Sequence, residues 1–331
     1  MTPRVSIIIP AYNASTTLDR CLAQLQAHAP PDAEFIVVDD HSSDATAALA
    51  RRHQVQVITN PGPRGPSAAR NAGAQAAQGE VLVFVDADVY VLPDTLPRLL
   101  RHLEQGASAA FGSYTRETVH QNFASQFKNL QFYFLHQHGR TDAATFWAGC
   151  GAVRRDLFLA TGGFDPERRY MEDADLGMRL KQLGARIVLD PLVQATHAKG
   201  YSWWELVRSD FVGRALAYTE LILDHSQMPN DLSTSRRAKV SVALAWLLVL
   251  CLILAPWLAV ARWAALLAAI DFLVVNFAFW QLAYRHRGAG FLLLAIPQFW
   301  LFHFYSGLGF LWGVYRHWRR RRAAHLLGQG H

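Results

Sequence analysis

Apolar runs separated by polar clusters divide the first two thirds of the chain into alternating strands and helices. Val5-Ser6-Ile7-Ile8-Ile9, Glu34-Phe35-Ile36-Val37-Val38 and Val81-Leu82-Val83-Phe84-Val85 are β-branched and nearly uncharged, as expected of strands buried on both faces. Between them, Leu18, Cys21, Leu22 and Leu25 recur at helical spacing, and 45–53 and 68–77 read as further helices, with 55–59 as another strand. Ser15 or Thr16 and Ser67 stand where N-caps belong. Strands alternating with helices of about ten residues predict an α/β fold with a mostly parallel, doubly wound sheet. Ligands bind such sheets beyond the carboxyl ends of the strands.

Polar clusters lie at those ends. The first strand runs into Pro10-Ala11-Tyr12-Asn13, the second into Asp39-Asp40-His41-Ser42-Ser43-Asp44, and the central one into Asp86-Ala87-Asp88. Two carboxylates so close repel unless a cation lies between them, and oxygen ligands select a hard ion such as Mg²⁺ or Mn²⁺. A single Asp-x-Asp could be an acidic turn; three polar strand ends on one edge point to a ligand site. Further on, 186–189 reads as a strand and 191–196 leads to His197.

Composition changes the picture after about residue 235. From Lys239 to Tyr315 charge nearly vanishes and Trp, Phe, Leu and Ala dominate, as in protein within a bilayer. The expected division is therefore 1–235 and 236–331, with spans at 239–261 and 263–284 around Arg262. Asp271, deep in the second span, is expected to face protein or substrate. The apolar stretch 290–315 ends in Arg316 and Arg319 to Arg322, so a re-entrant or interfacial helix pair is expected there, bent at Pro297, Gly307, Gly309 and Gly313 and followed by a basic tail. Tyr201-Ser202-Trp203-Trp204 opens an interfacial helix over about 202–225. The formal charge is +6 and the pI about 9.4, but the arginines gather beside apolar segments, which points to anionic headgroups and away from nucleic acid. Three isolated cysteines fit a reducing compartment. Met1 leads straight into a strand, so the first domain is expected in the cytoplasm, at a membrane crossed more than once.

Ile9-Pro10-Ala11-Tyr12-Asn13, Val37-Val38-Asp39-Asp40-His41-Ser42-Ser43-Asp44, Ala69-Arg70-Asn71-Ala72-Gly73, Asp86-Ala87-Asp88 and Glu172-Asp173-Ala174-Asp175-Leu176 follow one another in an order and spacing that resembles the family 2 glycosyltransferases over about residues 3–225. The resemblance implies a GT-A fold, a nucleotide-sugar donor and Mg²⁺ or Mn²⁺. It implies that Pro10, Tyr12, Asn13, Asp39, Asp40, Arg70, Asn71, Asp86, Ala87 and Asp88 bind the donor, with Asp86 and Asp88, the latter more directly, and His197 on the metal. Asp173 would be the general base and Glu172 would orient the acceptor, whereas Asp175 suits an acidic helix N-terminus. Trp147, Gly149, Cys150 and Gly151 lie where the family shapes its sugar and acceptor pocket, although the glycines equally suit packing. The repeat Val119, Phe123, Phe127, Leu130, Phe134 reads as core or as an acceptor groove. With one candidate base and no second carboxylate placed as a nucleophile, direct displacement with inversion is expected. No Gln-x-x-Arg-Trp motif follows the base, and Arg208 and Arg214 stand roughly where it would, Arg214 as an acceptor-pocket candidate; one transfer per acceptor is favoured over a processive polysaccharide synthase. The acceptor expected is a membrane lipid or lipid-linked sugar at the cytoplasmic face. A nucleotidyltransferase lacks its Gly-rich signature here, and a non-catalytic scaffold would not need every acidic motif.

Overall fold

The apolar runs become the strands of one eight-stranded sheet. The structure is a computed structural model that describes residues 5–230 and 232–328, leaving side chains undescribed at 321 and 323–328; the outer ends of the two expected domains, and of the basic tail, lie outside the described residues. The chain falls into two units, Met1–Gly200 and Tyr201–His331.

In the first unit the strands are β1 (Val5–Ala11), β2 (Glu34–Asp39), β3 (Gln56–Thr59), β4 (Val81–Val85), β5 (Val89–Val91), β6 (Ala109–Tyr114), β7 (Cys150–Arg154) and β8 (Ile187–His197). The helices are α1 (Leu18–His28), α2 (Thr46–Arg52), α3 (Pro66–Ala76), α4 (Thr95–Glu104), α5 (Phe123–Gln137), α6 (Arg155–Ala160) and α7 (Glu172–Gln182). The order across the sheet is β3-β2-β1-β4-β7-β6-β8-β5. β1 is parallel to β2 and β4, and β2 to β3, as expected of a doubly wound half-sheet. β7 then enters antiparallel to both β4 and β6, and β5 antiparallel to the end of β8, so the sheet is mixed. Every β4 residue is buried, and Ile7, Ile9, Leu18, Leu22, Leu25, Val83 and Leu99 form part of one core. Each such side chain contributes about 1.5–3 kcal/mol through removal from water. Phe127, Leu130 and Phe134 are buried too, so α5 is a core helix.

Two expected caps are displaced. Ser67 lies inside α3, which starts at Gly65 (φ 144°) and Pro66, because proline suits the first helical turn; α1 is preceded by Thr17, with no side-chain cap. Ile187–His197 forms one strand where a strand over 186–189 and a separate lead-in were expected.

The second unit is helical: α8 (Trp203–Asp210), a π-helical turn at Phe211–Leu216, α9 (Ala217–His225), α10 (Arg236–Leu254), α11 (Ala259–Val275) and α12 (Phe277–Gly328). Its boundary lies before 201 and not at 235, because the glycines of α12 pack on the π-helical turn and α9. Arg236–Leu254 and Phe277–Arg320 are long and apolar enough to cross a bilayer. The expected span 263–284 is not one helix: Asn276 ends α11 and binds Ser241 through its carboxamide. Arg262 is correspondingly inside α11, donating to Ala255 O, and Asp271 is exposed near the helix end, where it needs no buried partner. The expected bend at 290–315 is also absent. The break comes at Gly288 (φ 80°), a conformation that glycine tolerates, and the helix continues through Pro297. A Cβ on Gly309 or Gly313 would lie 2.6 Å from Ala215 or 2.8 Å from Thr219, so these glycines let two helices approach closely.

Candidate active site

Parallel register between β1 and β2 sets Ala11 beside Asp39, and β1–β4 pairing brings the end of β4 to the same edge. There a cavity of about 1150 Å³ opens. Pro10, Tyr12, Asn13, Asp40, Arg70, Asp86, Ala87, Asp88 and Glu172 line it, together with Arg64, Arg168, Arg169, Tyr170, Met171 and Lys199, which sequence reasoning did not select. Lined by five cations and four carboxylates, the cavity suits a diphosphate accompanied by a divalent ion.

Arg70 organises the inner wall. Its guanidinium is buried, donating from Nη2 to Asp86 Oδ1 at 2.7 Å and from Nη1 to Glu172 Oε1 at 2.8 Å, with Phe164 packed against it. Burial alone would ease its deprotonation, but the two carboxylates outweigh that and hold the proton more firmly than usual. Arg70 therefore ties the end of β4 to the start of α7. Asn71, the next residue, binds the backbone of Phe164 at both ends of its carboxamide and does not line the cavity.

Asp88 faces His197. The β5–β8 register sets Val89 opposite His197, and Ala198 N donates to Asp88 O at 2.8 Å. His197 Nε2 is then 3.6 Å from Asp88 Oδ2, while the imidazole stacks on Tyr114 at 4.3 Å and 5°. Burial raises the Asp88 pKa, yet the His197 hydrogen bond and the charges of His197 and Lys199 outweigh it and hold the carboxyl below its ordinary value. One carboxylate and one imidazole fit Mn²⁺ or Mg²⁺, ions that keep several waters and take further oxygens from a phosphate. Asp86, already paired with Arg70, is less available than Asp88. Among the described residues no group of three or more His, Cys, Asp or Glu converges, so the remaining ligands would come from substrate and water.

Asp40 Oδ1 accepts from Asn60 Nδ2 and Oδ2 from Gly65 N, so it shapes the 60–65 loop from within the cavity; Asp39 accepts from Ser42 N and lies outside the lining. Tyr12 is exposed, with Arg64 5.8 Å from its ring centroid. Asn13 Oδ1 accepts from Ser43 N and so holds the neighbouring loop.

The segment at 147–151 packs instead of lining the cavity. A Cβ on Gly149 would lie 2.6 Å from the Trp147 ring, and one on Gly151 2.4 Å from Trp147 O. Trp147 supports Tyr114 edge-on at 4.7 Å, beneath the stacked His197. Cys150 pairs with Val85 in the sheet, and burial, with the Asp86 charge, pushes its thiol up to about 12. Arg214 belongs to the other unit, where it donates to Ser233 Oγ at 2.7 Å.

Asp173 sits on the first turn of α7, half-buried. Ala148 N donates to Oδ2 at 3.4 Å and Ala174 N to Oδ1 at 2.8 Å. Burial first, then the Glu172 charge, raise its pKa to about 7, against the lowering effect of Arg70. Such a carboxylate is basic enough to take a proton near neutral pH. Asp175 is bound by Arg179 at 2.7 Å, as suits a structural acid. The helix is fixed by Gly177, where a Cβ would lie 2.1 Å from Phe146 N. Gly177→Ala is therefore expected to cost about 1–3 kcal/mol by overpacking, read as a fall in Tm, and to lower activity by moving Asp173.

Residues 6–161 match the family model described as Glycosyl transferase family 2. The chain is 27% identical over 186 residues to an uncharacterized glycosyltransferase of Haemophilus influenzae, covering 54% of this chain and 62% of the relative. It is 28% identical over 204 residues to a dolichol-phosphate mannosyltransferase of Pyrococcus furiosus, covering 59% and 54% respectively. The chain thus spans less than two thirds of the length of these curated relatives. Among solved structures it is similar to a mannosyltransferase from Pyrobaculum calidifontis in complex with GDP-Man and Mn²⁺, with a TM-score of 0.60 over 94% of this chain and 88% of that one. At 18% identity this likeness establishes the shared GT-A fold. The likeness to glycosyl transferase family 2 thus rests on residues 6–161, just under half of the chain.

Proposed function

We propose that this protein transfers a sugar from a nucleotide-sugar donor to a lipid or lipid-linked acceptor at the cytoplasmic face of a membrane, with inversion at the anomeric carbon. The observation that carries the reading is Asp173, a carboxylate with its pKa raised to about 7, close to Arg70 in the wall of a cavity of about 1150 Å³, room enough for a nucleotide sugar. In this reading Tyr12, Arg64 and Asp40 hold the nucleoside, and Arg168, Arg169 and Lys199 engage the diphosphate. Asp88 and His197 would hold a divalent ion, which when bound supplies positive charge to the departing diphosphate. Asp173 removes the proton of the acceptor hydroxyl as its oxygen attacks the anomeric carbon from the face opposite the leaving group, and Glu172, fixed by Arg70, holds the approach. The donor named for the Pyrobaculum structure makes GDP-mannose one of the first candidates. Release of nucleoside diphosphate from a panel of nucleotide sugars, with and without lipid extract, tests the proposal; no release from any donor with Mn²⁺ present would overturn it.

Membrane attachment is supported by the second unit. Along α11, Ala261, Ala265, Ala268 and Phe272 are buried, while Val260, Trp263, Leu267 and Val274 are at least 60% exposed. Such a continuous apolar outer face suits lipid. Arg316 and Arg320 reach Glu220 at 3.5 and 3.7 Å, and His317 reaches Asp224 at 3.7 Å. These contacts pair the basic end of α12 with α9, so we place that end on the same side of the membrane as α9. A reporter active only in the cytoplasm, fused after His331, is expected to be active and a periplasmic one silent; the reverse would refute this topology.

A further inference from the structure

Parallel pairing ends β1 and β2 side by side, Ala11 against Asp39, so the loops that follow leave the sheet together. In the first loop three successive backbone N–H groups lie beyond the ladder and need other acceptors. Side chains of the second loop supply all three. Asn13 N donates to Ser42 Oγ at 3.0 Å, Ala14 N to Thr46 Oγ1 at 2.8 Å and Ser15 N to Asp44 Oδ2 at 3.1 Å. One contact runs the other way, from Ser43 N to Asn13 Oδ1 at 2.9 Å. Asp44 fastens this clasp through its other oxygen, because Oδ1 accepts from Thr46 N at 3.0 Å and from the Thr46 hydroxyl. Thr46 Oγ1 thus donates to Asp44 while it accepts from Ala14 N, which fixes the direction of its O–H.

The clasp holds backbone that would not hold itself. Asn13 (φ 47°) and His41 (φ 61°) are both left-handed without being glycine, a conformation that persists where the surroundings enforce it. Hydrogen bonds, that from the Thr46 side chain foremost, outweigh burial and keep the Asp44 carboxyl well below the ordinary carboxylate range, so it accepts as an anion at neutral pH. The two sides of the clasp differ in what they face. Tyr12, Asn13 and Ala14 line the cavity, and Tyr12 is 54% exposed. Ser42, Asp44 and Thr46 lie outside the lining. Side chains behind the wall therefore set the shape of the wall itself. Its exposed aromatic ring is a platform on which a nucleobase can stack, a contact open to any base because each has a π-face.

We propose that Asp44 and Thr46 are positioning residues for the nucleoside half of the donor: they hold the segment 12–15 in the shape that stacks the base, and they do not act on the diphosphate half. The inference rests on the nucleotide-sugar reading of the cavity and adds to it two residues that never touch the donor. Because they place a ring face and not a hydrogen-bonding edge, their loss should weaken different bases alike.

Titration calorimetry on the full chain in dodecyl maltoside with Mn²⁺ provides the test, using GDP, UDP and inorganic pyrophosphate as probes and recording Tm for each variant. Asp44→Asn keeps the shape of the side chain, but whichever way its carboxamide turns, an NH₂ replaces the oxygen that accepts from Ser15 or from Thr46. Thr46→Val removes the acceptor of Ala14 N at nearly the same shape. In both variants the Kd of each nucleotide that binds should rise by about 3–10-fold, as expected for one or two lost hydrogen bonds, while the Kd of pyrophosphate stays within about twofold. Thr46→Ser keeps the hydroxyl and should bind the nucleotides as wild type does. A pyrophosphate Kd that rises as far as those of the nucleotides would reveal a general loosening of the fold and overturn the proposal. Nucleotide affinities unchanged in both variants, or Thr46→Ser as weak as Thr46→Val, would overturn it too. Wild type that binds pyrophosphate but neither nucleotide would overturn the nucleotide-sugar reading and this inference with it, whereas unchanged variants of a wild type that binds would overturn this inference alone.

Discussion

Asp173→Asn is expected to reduce sugar transfer by about 10²–10⁴-fold, the usual cost of a lost general base, while leaving the Kd for nucleoside diphosphate nearly unchanged. The side chain keeps its shape and can still accept from Ala148 N, and Asp173 lies outside the lining of the cavity assigned to the nucleotide. Wild-type activity should climb with pH through about 7 as the carboxyl deprotonates, and the variant should lose that limb. Stability should move the other way. Because the folded-state pKa lies above the ordinary carboxylate value, the folded protein holds the proton more tightly. The stability this gives is fully present below about pH 4 and lost as pH rises through about 7. Asparagine carries no charge to bury, so the variant should gain in Tm over wild type at pH 8 and lose that advantage at pH 5. A collapse of nucleotide affinity in the variant would move Asp173 into the donor site and leave the reaction without its base.

Asp88→Asn should abolish the dependence of activity on divalent ions and reduce turnover to the metal-free level, with the fold intact. The substitution removes one charge from the pair Asp88 and His197 without changing side-chain volume. Asp86→Asn should behave differently, because Asp86 neutralises the buried Arg70. Leaving that cation without one of its partners costs on the order of 3–5 kcal/mol, so a fall in Tm should accompany the loss of activity. Normal turnover of Asp88→Asn at saturating Mn²⁺ would remove the metal from Asp88, and equal melting of the two variants would remove the structural role from Asp86.

The edge at which the site lies was legible because it depends on local rules. Uncharged β-branched runs such as 81–85 can only be buried strands, and the polar residues closing them must gather at one edge once neighbouring strands run parallel. The resemblance that named the family rested on those same strand ends, so Asp40, Asp86, Asp88 and Glu172 were in view before any fold. The lining residues Arg64, Arg168, Arg169 and Lys199 escaped notice because an arginine in a loop has the same local signature whether it faces solvent or a cavity.

Pairings distant in sequence needed the tertiary structure. Arg70 and Glu172 are 102 residues apart, and only the packing of α3 and α7 around β4 makes them an ion pair. The same packing settles the glycines at 149 and 151, whose missing side chains make room for Trp147 and Phe146, and gives Trp147 the task of supporting Tyr114 beneath His197. In the helical unit, apolar composition raised the expectation of a bilayer, yet could not locate helix ends. Hydropathy is blind to a single φ of 80° at Gly288 and to the Asn276–Ser241 bond that closes α11. What the sequence by itself determined was the alternation of buried strands and the chemistry at their ends, both set by neighbouring residues. Which charges face one another, and which glycines bend a helix or admit a neighbour, the tertiary structure decided, because those depend on atoms brought together from far along the chain.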